Sequence, residues 1–372
     1  MCLSVLEVAP LAVVKFLIVT KILRKGILSM QKIKFIQKEF IGAFGDCGIL
    51  IPIFISLVAI NGLNPQIALL TVGLLYITCG FYYKIPIPVQ PLKAVAAIAI
   101  AGGLPLSIIS AGGILMGVIL LFLAGSGWIN QLVRIFNKPI VRGIQLGVGL
   151  LLIKAAIVLI FDGRKGWTTF FPEEIGFGLY QASLSIPRID DFIKAFVLLV
   201  IPQLPLTLGN SIVATSDVAG KYFGDKAKRV TPYSLSLGLG IANILSGLIG
   251  SMPVCHGSSG VTAHYSLGAR TGIAPIIIGF VCLVLGLLFG KEAINIVKLI
   301  PYPILGIMLF YVGVRHSLLV VDLRGKELVT ASLIGIISFI SGNLAIGYLV
   351  GMAVWYFPSV YAVKAVDRRN GI

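Results

Sequence analysis

Acidic residues are scarce in this 372-residue chain: 14 Asp and Glu stand against 30 Lys and Arg, and only 12% of all positions are charged. With 58% of positions apolar, a solvated globular surface is excluded, and the chain reads as a polytopic protein of the lipid bilayer. Cysteine is sparse too. Cys2, Cys47, Cys79, Cys255 and Cys282 are odd in number and lack paired spacing, so neither a disulfide framework nor a zinc site is expected. HExxH is missing, as is any nucleophile, base and acid at useful spacing, so the reading is not an enzyme and no cofactor is expected. The formal charge of +16 does not indicate nucleic acid, because the basic residues cluster between apolar runs.

Hydropathy punctuated by Gly, Pro and charge predicts full spans at 40–60, 66–84, 104–124, 138–161, 192–220, 232–250, 273–290, 297–320, 326–342 and 344–364. Two shorter segments, 85–101 and 252–268, start in proline-rich extended runs and end as small-residue helices. If the amino terminus is cytoplasmic and every segment crosses, 22 of the 30 basic residues are cytoplasmic, six face outward, and Lys93 and Lys154 lie within spans. The reverse orientation inverts that ratio, so both termini of a multi-pass plasma-membrane protein are expected in the cytoplasm. The expected organisation is a basic arm at 1–38, a first repeat at 39–161, an extracytoplasmic loop at 162–191, a second repeat at 192–364 and a tail at 365–372. Within the arm, Lys15 interrupts the apolar run from Val8 to Thr20 and no cleavage site follows. Residues 1–29 are therefore left out of the fold, with Met30 the expected start of translation. A homodimer is allowed but not specified.

The chain repeats itself. Gly45-Asp46 recurs as Gly209-Asn210, and Pro88-Val89-Gln90 as Pro253-Val254-Cys255, at offsets of 164 and 165 residues. Five crossings precede the loop, so the halves are inverted. Inverted halves with interrupted helices in matching places are the pattern of secondary transporters, which bind substrate near the midplane. The expected fold is an all-α inverted-repeat architecture of about 12 membrane segments, with two half-helices preceded by short β-strands and a reduced first repeat. The run from Pro86 to Gln90 is expected to pair with that from Met252 to Cys255, burying non-helical backbone in protein. Pro91 would then open the first half-helix, and both half-helices would aim free amides at one central anion site.

The candidate residues lie around these breaks. Lys93, expected two residues into its half-helix, either attracts an anion or pairs with Asp46. Asp46, in FGDCG, pairs with Lys93, carries a coupling proton or cation, or caps its helix. Gln90 ends the first extended run. His256 stands at the mouth of the second half-helix as a site residue or as packing; Gly257, Ser258 and Ser259 follow, baring amides and offering hydroxyls. Cys255 is read as a small residue lining the cavity. Gln203, Thr207, Asn210 and Ser211 share a helical face and serve either the site or helix packing. Gly113, Gly117, Gly143 and Gly147 read as close-packing positions.

FGDCG, PIPVQPLKAVAA, PQLPLTLGNSIVATSDVA and MPVCHGSSGVTAHYSLGARTG, spanning Phe44 to Gly272, resemble the molybdate transporter family, relatives of the SulP sulfate permeases. The resemblance implies uptake of molybdate or a similar small tetrahedral oxyanion through a seven-plus-seven inverted-repeat fold. This chain departs from that pattern where the last pair of the first half would fall, at 162–191, and no STAS domain is expected after the final span. Alternatives on the same fold are a sulfate-selective permease, an anion channel and a nucleobase–proton symporter. The last is disfavoured because 192–220 and 252–268 contain no Glu.

Overall fold

The structure, a computed structural model, describes residues 35–128, 131, 137–161, 187–289 and 302–369. The expectations for residues 1–29 and for most of the loop at 162–191 lie outside the described residues. Among the described residues the chain is helical but for two short strands, β1 (Gln90–Pro91) and β2 (Val254–Cys255), and the turns between elements. Ahead of the second strand come α1 (Cys47–Asn61), α2 (Pro65–Tyr83), α3 (Lys93–Gly102), α4 (Leu106–Ser126), α5 (Lys138–Phe161), α6 (Ile189–Ala227) and α7 (Pro232–Leu248). After it come α8 (Ser258–Ser266), α9 (Ile273–Phe289), α10 (Tyr302–Ser317), α11 (Gly325–Ser341) and α12 (Leu344–Arg369).

Several spans differ from expectation; the last, for one, runs on to Arg369 instead of stopping at 364 and so takes in part of the expected tail. The first starts at Phe35 rather than 40: residues 35–43 are helical, the chain breaks at 44–46, and α1 resumes the span to Asn61. The fifth starts at Ile189 and widens into π-helical turns at Phe196–Val200 and Thr207–Ala214. Pro202 and Pro205 stand between those two stretches. A proline supplies no N–H to the preceding turn, which loosens the helical ladder.

The expected strand pairing is present and antiparallel. Gln90 faces Cys255 and Pro91 faces Val254, and the Leu92 amide donates to the Pro253 carbonyl at 2.9 Å. Pro91 therefore belongs to the strand, not to the first helical turn, and Lys93 is the first residue of α3. The extended pairing persists one residue beyond Pro91, and only then can the chain turn into a helix.

Helix packing follows the repeat. α2 lies on α9 and α7 on α4, two seams that exchange when the halves are exchanged. A methyl group on Gly73 would come 2.8 Å from the Gly279 carbonyl oxygen, and one on Gly117 would come 2.6 Å from the Gly240 carbonyl oxygen. α5 packs on α10, α11 and α3. A methyl group on Gly143 would come 2.6 Å from the Ile334 side chain, and one on Gly113 would come 3.0 Å from the Pro253 ring. Without a hydrophobic drive in lipid, such close backbone approach holds the helices together.

Candidate functional site

The paired strands sit in the core and deliver two half-helix starts to one place. β1 and β2 are fully buried, so their outer edges need partners inside the protein. On β2, Asn243 supplies both: its Nδ2 donates to the Val254 carbonyl and its Oδ1 accepts from the Val254 amide, each at 2.8 Å. On β1, Tyr76 bonds the backbone of Val89. Neither residue was legible as a strand partner, because nothing in an isolated apolar helix reveals which strand it will face.

Asp46 is 2% exposed. Its Oδ1 accepts from Gln90 Nε2, while its Oδ2 has no hydrogen-bond partner among the described residues. Gly45 lets this break approach α8, since a methyl there would lie 2.9 Å from the Ala263 backbone. Gln90 Oε1 is likewise unpartnered among the described residues and lies against Gly257, where an added methyl would strike it. Lys93 is 3% exposed, and its Nζ would lie 2.8 Å from that same methyl. Among the described residues it has no hydrogen bond and no carboxylate within ion-pair reach, although it acts electrostatically on Asp46. The lysine is thus buried at the start of α8 with its charge uncommitted.

The second half answers with neutral groups. Asn210 Oδ1 accepts from Ser258 Oγ at 2.7 Å, and by the repeat offset these two positions correspond to Asp46 and Lys93. Ser258 and Ser259 open α8. Their amides donate to no acceptor among the described residues, and Ser259 is exposed. Gly257 and Gly260 leave room for Gln90 and Pro88. The start of α8 thus offers free N–H groups, the Ser259 hydroxyl and an ammonium together, a donor set for an oxyanion.

The two half-helices are not equivalent. The amides of Ala94 and Val95 at the start of α3 donate to Gln203 Oε1 at 2.8 and 3.2 Å. Gln203 Nε2 in turn donates to Thr207 Oγ1 at 2.9 Å. The expectation of free amides on both half-helices therefore holds only for α8. Gln203 and Thr207 gather at the capped end, apart from the lysine's contacts. His256 is turned away as well: its Nδ1 meets the Pro88 carbonyl at 2.7 Å, its Nε2 is 3.9 Å from Cys79 Sγ, and Tyr83 lies edge-on. Its backbone carbonyl accepts from Thr215 Oγ1 at 2.7 Å. Cys255 Sγ points to the Pro91 carbonyl at 3.3 Å. These contacts hold the strand crossing together. A separate cavity of about 160 Å³, lined by Phe44, Cys47, Phe54, Ile278 and Cys282 among others, lies against α1, α2 and α9 and has no charged or amide side chain in its wall.

Comparison with known proteins gives a consistent picture. The family model described as "Molybdate transporter of MFS superfamily" matches residues 38–152 and 195–315. Molybdate transporter 2 of Arabidopsis thaliana is 27% identical, over 86% of this chain and 87% of its own. Among solved structures, the transmembrane domain of the cyanobacterial bicarbonate transporter BicA aligns with a TM-score of 0.59 at 15% identity, covering 86% of this chain and 97% of its own. The murine anion transporter Slc26a9, in its inward-facing state, aligns with a TM-score of 0.60 at 14% identity, over 88% of this chain and 69% of its own. These structural likenesses establish the inverted-repeat fold.

Proposed function

Because the chain belongs to the molybdate transporter family, we propose that it carries molybdate, or a similar tetrahedral oxyanion such as tungstate or sulfate, across the cell membrane as a secondary transporter. One observation supports this most strongly: Lys93, buried and uncommitted, stands at Gly257 beside the unoccupied amides of α8. Burying a lone ammonium near mid-membrane costs at least about 2.5 kcal/mol, and an oxyanion bound there offsets that cost. The α8 amides and the Ser259 hydroxyl replace part of the anion's hydration. Gln203 and His256 act as scaffold in this reading, keeping α3 and the strand crossing in place.

Transport then follows from alternating access. The body built on the α2–α9 and α4–α7 seams carries the site and rocks against α5 and α10 to α12. Both termini are placed in the cytoplasm, on the distribution of basic residues. A channel on the same fold would pass unsaturated current in a bilayer recording, which the carrier reading forbids.

The test is uptake of labelled molybdate by liposomes containing the purified full-length chain. The expected result is saturable flux, with tungstate and sulfate competing, and at least a tenfold loss of affinity in Lys93→Ala, about 1.4 kcal/mol. Absence of saturable flux for all three anions overturns the proposal. Unchanged affinity in a folded Lys93→Ala removes the lysine from the site.

A further inference from the structure

Resting on that reading, the electrostatics of the site leave a dianion short of positive charge. Lys93 supplies one, but Asp46 acts on it from the α1 break. The equivalent pair in the second half, Asn210 and Ser258, is neutral. A divalent oxyanion beside Asp46 therefore meets only one cation from the strand crossing.

A second source comes from across the interface. His316 lies near the end of α10 and is 5% exposed. A methyl group added to Gly149, midway along α5, would come 2.6 Å from the Gly313 carbonyl oxygen and 2.7 Å from the Ser317 nitrogen, so the two backbones lie close there. The end of α10 thus reaches only half the depth of α5, and the backbone tightens into a 3₁₀ turn at Leu318–Asp322. His316 is consequently an intramembrane ionisable residue, a placement that marks ion or proton pathways. Its Nδ1 lies 3.1 Å from the Val312 carbonyl. A carbonyl can only accept, so Nδ1 carries the hydrogen and the neutral ring keeps its lone pair on Nε2. Nε2 has no partner among the described residues.

α5 brings Lys138, Arg142 and Lys154, α1 brings Asp46 at its start, and α10 and its 3₁₀ turn bring Arg315 and Asp322. Arg142 donates to both Asp322 oxygens at 3.1 and 2.8 Å, and Lys138 lies 3.1 Å from Asp322. Arg142 first, and Lys138 after it, hold that carboxyl below the usual carboxylate range. Among the described residues, the charged group acting on the His316 ring is Lys93. Two cations facing each other in a low-dielectric interior repel strongly, whereas a dianion between them reverses the sign.

We propose that His316 binds a proton when the oxyanion binds, so that one proton travels with each anion. The proton comes from the outer solution to the Nε2 lone pair, and it leaves Nε2 for cytoplasmic water as the anion departs. Because the histidine stands on α10 and the lysine on α3, the bound anion and its proton also draw the two bodies together.

The linkage fixes the sign. If protonated His316 favours the anion, the anion favours protonated His316 by the same factor. Affinity therefore rises as pH falls, by up to tenfold per pH unit for one linked proton. The experiment measures molybdate binding to the purified full-length chain from pH 6 to 8, where molybdate remains a dianion, together with the protons taken up in weak buffer. Wild type is expected to take up close to one proton per anion above the histidine's titration. His316→Asn, which keeps a donor for the Val312 carbonyl, is expected to show a flat pH profile and no uptake, with His316→Gln as the second variant. Thermal unfolding identifies any variant that has lost its fold. A flat wild-type profile overturns the inference, as does an unchanged slope in either folded variant. A slope that vanishes instead in Asp46→Asn, with His316→Asn unaffected, also overturns it by assigning the proton to Asp46. Wild type that binds none of molybdate, tungstate and sulfate at any pH overturns the functional reading itself.

Discussion

Gly257 sets how closely the lysine can approach the second half-helix. A methyl there would strike Gln90 Oε1 and sit 2.8 Å from Lys93 Nζ, both far ends of side chains that can swing aside. Gly257→Ala is therefore expected to fold, with thermal unfolding close to wild type, while its displaced ammonium lowers oxyanion affinity about tenfold or more. Equal affinity in a titration of the purified variant would show that the lysine does not act from this position. Lys93, Gln90 and Gly257 were legible in the sequence because prolines and a lone cation interrupting an apolar run have few structural explanations. His316 was not. In the linear chain it follows Arg315 at the end of a span, where it reads as part of a cytoplasmic basic cluster; only the packing of α10 on α5 reveals its depth.

At the scale of elements, the half-helices and the register of their strands could be read from sequence, since Gln90 and Cys255, matched by the repeat, face each other in the fold. The ends of those elements could not. Pro91 suits a first helical turn locally, yet the pairing of Leu92 with Pro253 outweighs that preference. Nor could the caps be read, because Gln203 reaches α3 from more than 100 residues away. Asn243 shows how much these remote partners carry. It bonds the Leu239 carbonyl and both backbone groups of Val254, and Asn243→Ala would leave the Val254 pair buried without partners. Each unsatisfied group costs about 1–3 kcal/mol, so the variant is expected to lose on the order of 3 kcal/mol. Thermal unfolding in detergent against wild type checks this, and a loss under about 1 kcal/mol would mean that water or another side chain takes over the strand edge.

For the whole molecule, the inverted repeat predicts that its two helix seams respond alike. Gly117 on α4 and Gly279 on α9 take equivalent places in the two seams, and each lets a facing glycine's backbone approach: the carbonyl of Gly240 in one seam, that of Gly73 in the other. The obstacle to an added methyl is main chain in both places, so neither seam can relax by rotating a side chain. Overpacking of this kind costs about 1–3 kcal/mol. Gly117→Ala and Gly279→Ala are therefore both expected to lower the unfolding temperature, and by similar amounts. Gly48 supplies the opposite sign. Nothing lies within 4 Å of a methyl placed there, and within α1 alanine is favoured over glycine by roughly 0.5–1 kcal/mol, so Gly48→Ala should unfold at the same or a higher temperature. If only one seam proved sensitive, the body carrying the site would rest on a single helix pair, and the rigid rocking that brings α10 to the anion would have no frame to move against.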